Sequence, residues 1–280
     1  QLEAWEEGQR IIMKKNPGYF EKDSPGNRLP YLDGIKITFL ENKATEFLEF
    51  EQQRLEFVND IDPSFKDEVL SKSGELRPDW KGKIVLQKHP YLTTEYFGIL
   101  MDTTKNLVKN SPLRDVRVRQ AINYGFDRKK LMLYIRNSIG TPATSGFVPL
   151  GLPSFDSSRV KGYNYNPQKA MQLLKEAGYP QGRGLPEIPL LTIPIYGDIA
   201  SFVANQLRQI GIRVKVDVVQ KSLLLEQTAK SEALFFRGSW IGDYPDAENF
   251  LSVFYSKNPA PPNYTRYSNP AFDKLYEKAL

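Results

Sequence analysis

Between Asn166 and Gly238 the hydrophobic period of the chain switches repeatedly between 3.6 and 2, and few architectures accommodate that pattern. Asn166 and Pro167 suit an N-cap and a first helical residue. Ala170, Met171, Leu173, Leu174 and Ala177 follow at helical spacing, and Gly178 can close the helix in the left-handed conformation. After a Pro/Gly-rich loop, IPLLTIPIY (188–196) reads as a strand, and its two prolines predict an edge or irregular one. A helix over about 199–210 is stopped by Gly211. IRVKVDVV then alternates, with Ile212, Val214, Val216 and Val218 on one face. A helix over about 222–230 leads to the short apolar run ALFF (233–236). Three helix–strand pairs in succession predict α/β layering around a mainly parallel sheet.

On this reading the last strand ends at Phe236, where the stretch FFRGSWIGDYPDAENFL leaves the sheet. Ligands of open α/β sheets gather outside the carboxyl ends of strands. The positions from Arg237 to Glu248 are therefore expected to line a cleft. Upstream, DVRVRQAINYGFDRKKLMLYIRN predicts two abutting helices. Asp115 caps the first, whose apolar positions are Val116, Val118, Ala121 and Ile122; Asp127 caps the second, with Leu131, Met132 and Ile135. Gly140 to Tyr163 is a long loop rich in Gly, Pro and Ser, a length often associated with function. Near the start, IKITFL predicts a strand, ATEFLEFEQQ a helix and LEFVND a short strand. A lobe boundary is expected around His89 to Tyr96.

Composition narrows the chemistry. The hydrophobic fraction of 40% and charged fraction of 25% suit a globular chain, with no apolar run long enough to cross a bilayer. The net charge of +5 comes from bases dispersed among nearly as many acids, which does not favour a nucleic-acid surface. There are no cysteines and a single histidine, His89. Disulfides and zinc–thiolate sites are excluded, and imidazole chemistry has little to work with. His89 stands before Pro90 and Tyr91 after the strand-like run IVLQKH, where a solvated strand-end role outweighs a catalytic one. The first residues carry no signal-peptide pattern, and FDKLYEKAL reads as a helix in progress; both ends are expected to continue into a longer protein.

The acids Asp243, Asp246 and Glu248 invite several readings. A glycosidase-like acid/base pair usually draws its carboxylates from different elements, which a local cluster does not provide. A calcium loop needs alternating acids and a glycine at the sixth position, and DYPDAENF has neither. Phosphate-cradle and dinucleotide fingerprints are absent, so GLPEIPLL and GTPATSG read as turns. A ligand clamp remains: a carboxylate at a strand end holding an ammonium group, Trp240 as a flat wall, and Arg237 meeting a carboxylate. Core packing for Trp240 and a surface ion pair for Arg237 stand beside it as equal alternatives.

Six stretches in order carry a resemblance: WEEGQRIIMKKNPGYF, SPLRDVRVRQAINYGFDRKKLM, GTPATSGFVPLG, AMQLLKEAGYPQG, ANQLRQIGIRVKV and GSWIGDYPDAENFL. Over nearly its whole length the chain resembles the peptide/nickel-type (family 5) extracellular solute-binding proteins of ABC importers. The resemblance implies an α/β, periplasmic-binding-protein-like (type II) fold whose two lobes close over ligand by hinge motion. Residues 1–90 would be part of the first lobe and residues 91–280 most of the second. It also implies no catalysis and no cofactor. The partners would be a short peptide and ABC permease subunits, with no nucleic acid, and the protein a monomer. The location would be extracytoplasmic, in the periplasm or at the cell surface, with a lipid anchor on a preceding segment as one form. In peptide-binding members the aspartate of W-x-x-D grips the peptide's α-ammonium, which puts Trp240, Ile241, Gly242 and Asp243 at the ligand; Arg237, three residues before the tryptophan, approaches the peptide carboxylate in some members. Met101 and Asp102 depart from the family's usual Asn after the hinge strand, and the lone His89 lies outside the motifs, which lowers a nickel reading. Haem and oligosaccharide ligands occur in relatives as well.

Overall fold

The computed structural model describes residues 1–89, 91–152 and 155–280, so Pro90, within the expected lobe boundary, and Pro153 and Ser154, within the long loop, lie outside the described residues. The chain forms two compact units, Gln1–Lys66 and Asp67–Leu280. In the first, β1 (Leu2–Glu6), β2 (Arg10–Lys14) and β3 (Gly34–Thr38) form an antiparallel meander. Gly8, at φ +68°, turns β1 into β2. Helix α1 (Lys43–Glu51) starts where the Asn42 side chain accepts from the N–H groups of Ala44 and Thr45, and it buries Phe47 against Phe65. The expected strand LEFVND does not form. Gln53, two residues before it, and Asp60, its last residue, have positive φ, so the chain bends at both ends of the segment.

The short helix α2 (Lys66–Val69) spans the division between the units. Beyond it, β4 (Thr93–Ile99) and α3 (Asn106–Lys109) precede the two abutting helices, α4 (Val116–Tyr124) and α5 (Arg128–Ile135). Asp115 and Asp127 cap them as the sequence predicts. Val118, Ala121 and Ile122 are buried, but Val116 at the first position of α4 faces solvent. The strand-like run before His89 is not a strand; the histidine is exposed, and β4 begins only at Thr93.

The alternating segment then delivers α6 (Pro167–Glu176), β5 (Ile188–Thr192), α7 (Gly197–Gln209), β6 (Val214–Val218), α8 (Lys221–Ala229) and β7 (Phe235–Ile241), followed by α9 (Ala247–Leu251) and α10 (Pro270–Ala279). Asn166 caps α6, and Gly178 adopts φ +92° after it. The sheet order is β4-β7-β5-β6, with β7, β5 and β6 parallel and β4 antiparallel on the edge. The chain moves from β5 outward to β6, then returns to β7 on the other side of β5. That reversal is the kind of switch point at which open α/β sheets bind ligands.

One face of this sheet carries the main core: Phe235, Leu190 and Ile188 pack with Val118, Leu174, Val203 and Leu207 from α4, α6 and α7. Burying one such side chain stabilises by roughly 1.5–3 kcal/mol. The other face carries an aromatic layer in which Tyr96 meets Phe147 at 5.1 Å and Phe147 meets Phe254 at 4.9 Å. Two sequence expectations need correction here. Strand β5 is interior, not an edge, despite Pro189. Ile188 donates toward β6, so the missing N–H of Pro189 lies on the β7 side, and β7 pairs with β5 only at Leu191↔Phe236; no ladder bond is lost. Val218, at the end of β6, is exposed and not part of the buried stripe.

Gly182 and Gly211 join two turns back to back. A Cβ on Gly182 would lie 1.9 Å from the Gly211 carbonyl oxygen, and both residues have positive φ. Gly182→Ala is therefore expected to cost ~3 kcal/mol or more, read as a lowered urea midpoint. A cost under ~1 kcal/mol would show that the two turns can part freely.

Burial pushes the Tyr96 phenol up to about 12. The folded state holds this proton more tightly than the unfolded chain, whose tyrosines ionise near ~10. The resulting stability is fully present below the unfolded pKa and is lost as pH rises toward about 12. Tyr96→Phe should flatten the decline in urea midpoint across that window; an unchanged decline would exclude the linkage.

Candidate ligand-binding site

Strand β7 runs five residues past the point where the sequence places its end, through Arg237, Gly238, Ser239, Trp240 and Ile241. The reason is its partner. β4 pairs with it along its full length, from Ile99↔Phe235 to Thr93↔Ile241. Gly238 is a poor strand residue by itself. Here the Tyr96 ring lies across it, so close that a Cβ would meet Cζ at 2.3 Å. The Phe236 ring covers Gly98 in the same way on the next cross-strand pair. Arg237, Trp240 and Ile241 are thus strand residues, not loop residues.

Side chains of a strand alternate between faces. Arg237, Ser239 and Ile241 share the face of Phe235, while Trp240 shares the opposite face with Phe236. The two proposed companions of Asp243 therefore point to opposite sides of the sheet.

Main-chain groups alternate as well. Gly242 N–H donates to Leu92 O (2.8 Å) at one end of the β4–β7 ladder, and Leu100 N–H to Leu234 O (2.9 Å) at the other. These bonds fix the phase: Gly238 and Trp240 aim their N–H and C=O groups at β4, and Ser239 and Ile241 aim theirs away from it. On that side β5 stops at Thr192, its only paired position with β7 being Leu191↔Phe236. Among the described residues, no hydrogen bond outside the ladders reaches the main chain of Ser239 or Ile241. The last residues of β7 thus present an open strand edge beside the switch point.

Past Ile241 the chain turns sharply. Gly242 is packed so tightly that a Cβ would stand 2.7 Å from Leu92 Cδ2 and 2.9 Å from Phe250 Cε2. Asn249, buried on α9, accepts from Trp240 Nε1–H (2.9 Å) and from the Asp243 N–H (3.3 Å). It ties the tryptophan to the turn. Asp246 caps α9 by accepting from Glu248 N–H at 2.8 Å. Glu248 accepts from the hydroxyls of Tyr244 and Tyr276; burial and this carboxylate raise the Tyr276 pKa. Two of the three acids are therefore committed within the fold. Asp243 is exposed, and among the described residues its carboxylate has no hydrogen-bond or ionic partner.

The arginine is engaged. Its guanidinium pairs with Glu95 of β4 and lies over the Tyr196 ring, 3.7 Å from the centroid. Glu95 also accepts from Ser239 Oγ (2.9 Å) and Tyr196 Oη (3.2 Å). Tyr196 has its pKa raised, chiefly by burial. Glu95, Tyr196 and Asn249 belong to this candidate site and were missed by sequence reasoning. The signals were slight: a charge inside the apolar run TTEYFGIL, a tyrosine just past a parallel strand, and an Asn facing inward on a short helix. No three metal-ligating side chains converge among the described residues, and no helix among them is long and apolar enough to cross a membrane.

Known proteins share this fold. Residues 1–262 match the family described as bacterial extracellular solute-binding proteins, family 5 Middle. The glutathione-binding protein GsiB of Shigella flexneri serotype 5b is 28% identical over 289 aligned positions, which cover all of this chain and 52% of that protein. GsiB of Escherichia coli K12 gives the same identity and coverage. Among solved structures, the periplasmic binding protein DppA of Helicobacter pylori, in complex with the peptide STSA, superposes with a TM-score of 0.77 at 25% identity, covering 100% of this chain and 50% of DppA. Burkholderia pseudomallei OppA gives 0.73 at 23%, covering 99% and 52%, and Campylobacter jejuni NikZ in complex with Ni(L-His) gives 0.75 at 16%, covering 100% and 54%; both show the fold alone. The chain spans about half the length of the curated relatives it matches. With the α/β fold of a periplasmic binding protein and a family match over residues 1–262, the chain belongs to the bacterial extracellular solute-binding proteins, family 5.

Proposed function

We propose that the chain is part of a solute-binding protein that captures short peptides outside the cytoplasm and hands them to the permease of an ABC importer. Residues 1–90 would belong to one lobe and residues 91–280 to the other, with hinge closure around the ligand. The observation that carries this reading is the open edge of β7 with an unpaired carboxylate at its end. A peptide adding to that edge would exchange main-chain hydrogen bonds with Ser239 and Ile241, as in strand addition. Its α-ammonium would meet Asp243, just past the strand end. Trp240, Ile241 and Gly242 would form the floor, and Arg237 would lie toward the far end of the edge. Main-chain recognition is indifferent to side chains, which suits a carrier of varied peptides. The DppA structure, similar to this chain, holds a four-residue peptide.

Micromolar binding needs about −8 kcal/mol. A charge-assisted hydrogen bond supplies roughly 1.5–3 kcal/mol, so Asp243 alone cannot account for it, and both lobes are required. The rival hydrolase, with Asp243 and Asp246 as acid and base, loses support because the Asp246 carboxylate already caps α9.

In the full-length protein, Asp243→Asn is expected to weaken peptides with a free N-terminus by roughly tenfold or more, while sparing their N-acetylated forms. Calorimetry on both peptide series reads this; equal losses would remove the ammonium role. Asn249→Ala leaves the Trp240 indole N–H and the Asp243 N–H without their acceptor. It should lower stability by ~1–3 kcal/mol and reduce affinity for both peptide series alike. Unchanged affinity would show that the turn holds its shape without the asparagine.

A further inference from the structure

We propose that Glu95 is a specificity-determining residue: by occupying Arg237 it releases the site from any requirement for a carboxylate at the far end of the ligand. The inference rests on the peptide reading above, and it concerns the end of the edge opposite Asp243.

The open edge runs from Ile241 back toward Gly238 and is closed where β5 ends and its chain turns through Tyr196. Arg237, Glu95 and Tyr196 converge at that closure. A peptide with its ammonium at Asp243 would send its C-terminus toward them. An arginine left free there would select for a carboxylate, which it binds in a forked, charge-assisted geometry.

In this chain the arginine is already occupied. Its side chain is 13% exposed, against 41% for that of Glu95. The stacking on Tyr196 fixes the guanidinium plane. Glu95 is held in turn by three donors, Arg237, the Ser239 hydroxyl and the Tyr196 hydroxyl. A carboxylate that sought Arg237 would have to approach Glu95, a like charge, and displace it from all three. The Arg237 Nε, buried and without a partner among the described residues, is too enclosed to serve as a second docking point. Arg237 and Glu95 thus neutralise each other at the closure, with Arg136 a further positive charge near Tyr196, while the Asp243 carboxylate at the opposite end has no partner among the described residues. The site is built to recognise one end of its ligand by charge, and to accept a C-terminal carboxylate, an amide or a continuing chain at the other.

The test uses the full-length protein and calorimetry with di-, tri-, tetra- and penta-alanine, each as free acid and as C-terminal amide. For the native sequence, acid and amide should bind within about threefold of each other at every length. Glu95→Gln should favour the acid by about tenfold or more at one length at least, and adding Arg237→Gln should restore parity. Arg237→Gln alone leaves Glu95 uncompensated and should disfavour acids by about threefold or more, which keeps the test open if Glu95→Gln does not fold. A native preference for acids of about tenfold, or parity in both single variants, overturns the proposal. If no alanine peptide binds the native protein in either form, the peptide reading falls and this inference with it. If free-amine peptides bind but the acid-to-amide ratios fail, only the role of Glu95 falls.

Discussion

Strands β5 and β7 run parallel with Leu191 opposite Phe236, but β5 stops at Thr192 and β7 continues to Ile241. From that difference in length come the open edge, the position of Asp243 and the place where Arg237 and Glu95 meet. A main chain in a sheet must have its donors and acceptors satisfied by a neighbour, by water or by ligand. On one side β4 satisfies Gly238 and Trp240. On the other, Ser239 and Ile241 are left to solvent or ligand. The overhang is kept extended by β4 and by the rings of Tyr96 and Phe236, each lying across a glycine on the partner strand. Cross-strand packing of this kind offsets the weak strand preference of Gly238.

Charge is distributed along the edge by the same geometry. Asp246 and Glu248 satisfy a helix N-terminus and two tyrosines, and so become structural. Arg237 and Glu95 neutralise each other at the switch point. Asp243 is left as the acid without a partner among the described residues. Placing Arg237 and Trp240 on opposite faces separates two tasks. The arginine face handles polar balance, and the tryptophan face anchors the turn through Asn249 to the aromatic layer that includes Phe250.

What the sequence made legible was local. Asn166, Asp115 and Asp127 cap their helices because capping is decided within a few residues. The α/β order followed from alternating periods, and the W-x-x-D motif marked the turn. What stayed hidden is non-local. The extent of β7 depends on β4, more than a hundred residues earlier in the chain. Glu95 acquires its meaning only once that register places it beside Ser239 and diagonal to Arg237. Pro189 suggested an edge strand, yet it sits in an interior strand because its N–H side faces a part of the chain outside β7. LEFVND has strand-like composition but bends at both ends.

The most direct measurement is amide hydrogen exchange, residue by residue, across β7 in the full-length protein with and without tri-alanine. The open edge predicts that Gly238 and Trp240 are protected in both states, while Ser239 and Ile241 exchange rapidly alone and become protected when the peptide binds. Protection of Ser239 and Ile241 without peptide, or no change on its addition, would contradict the account.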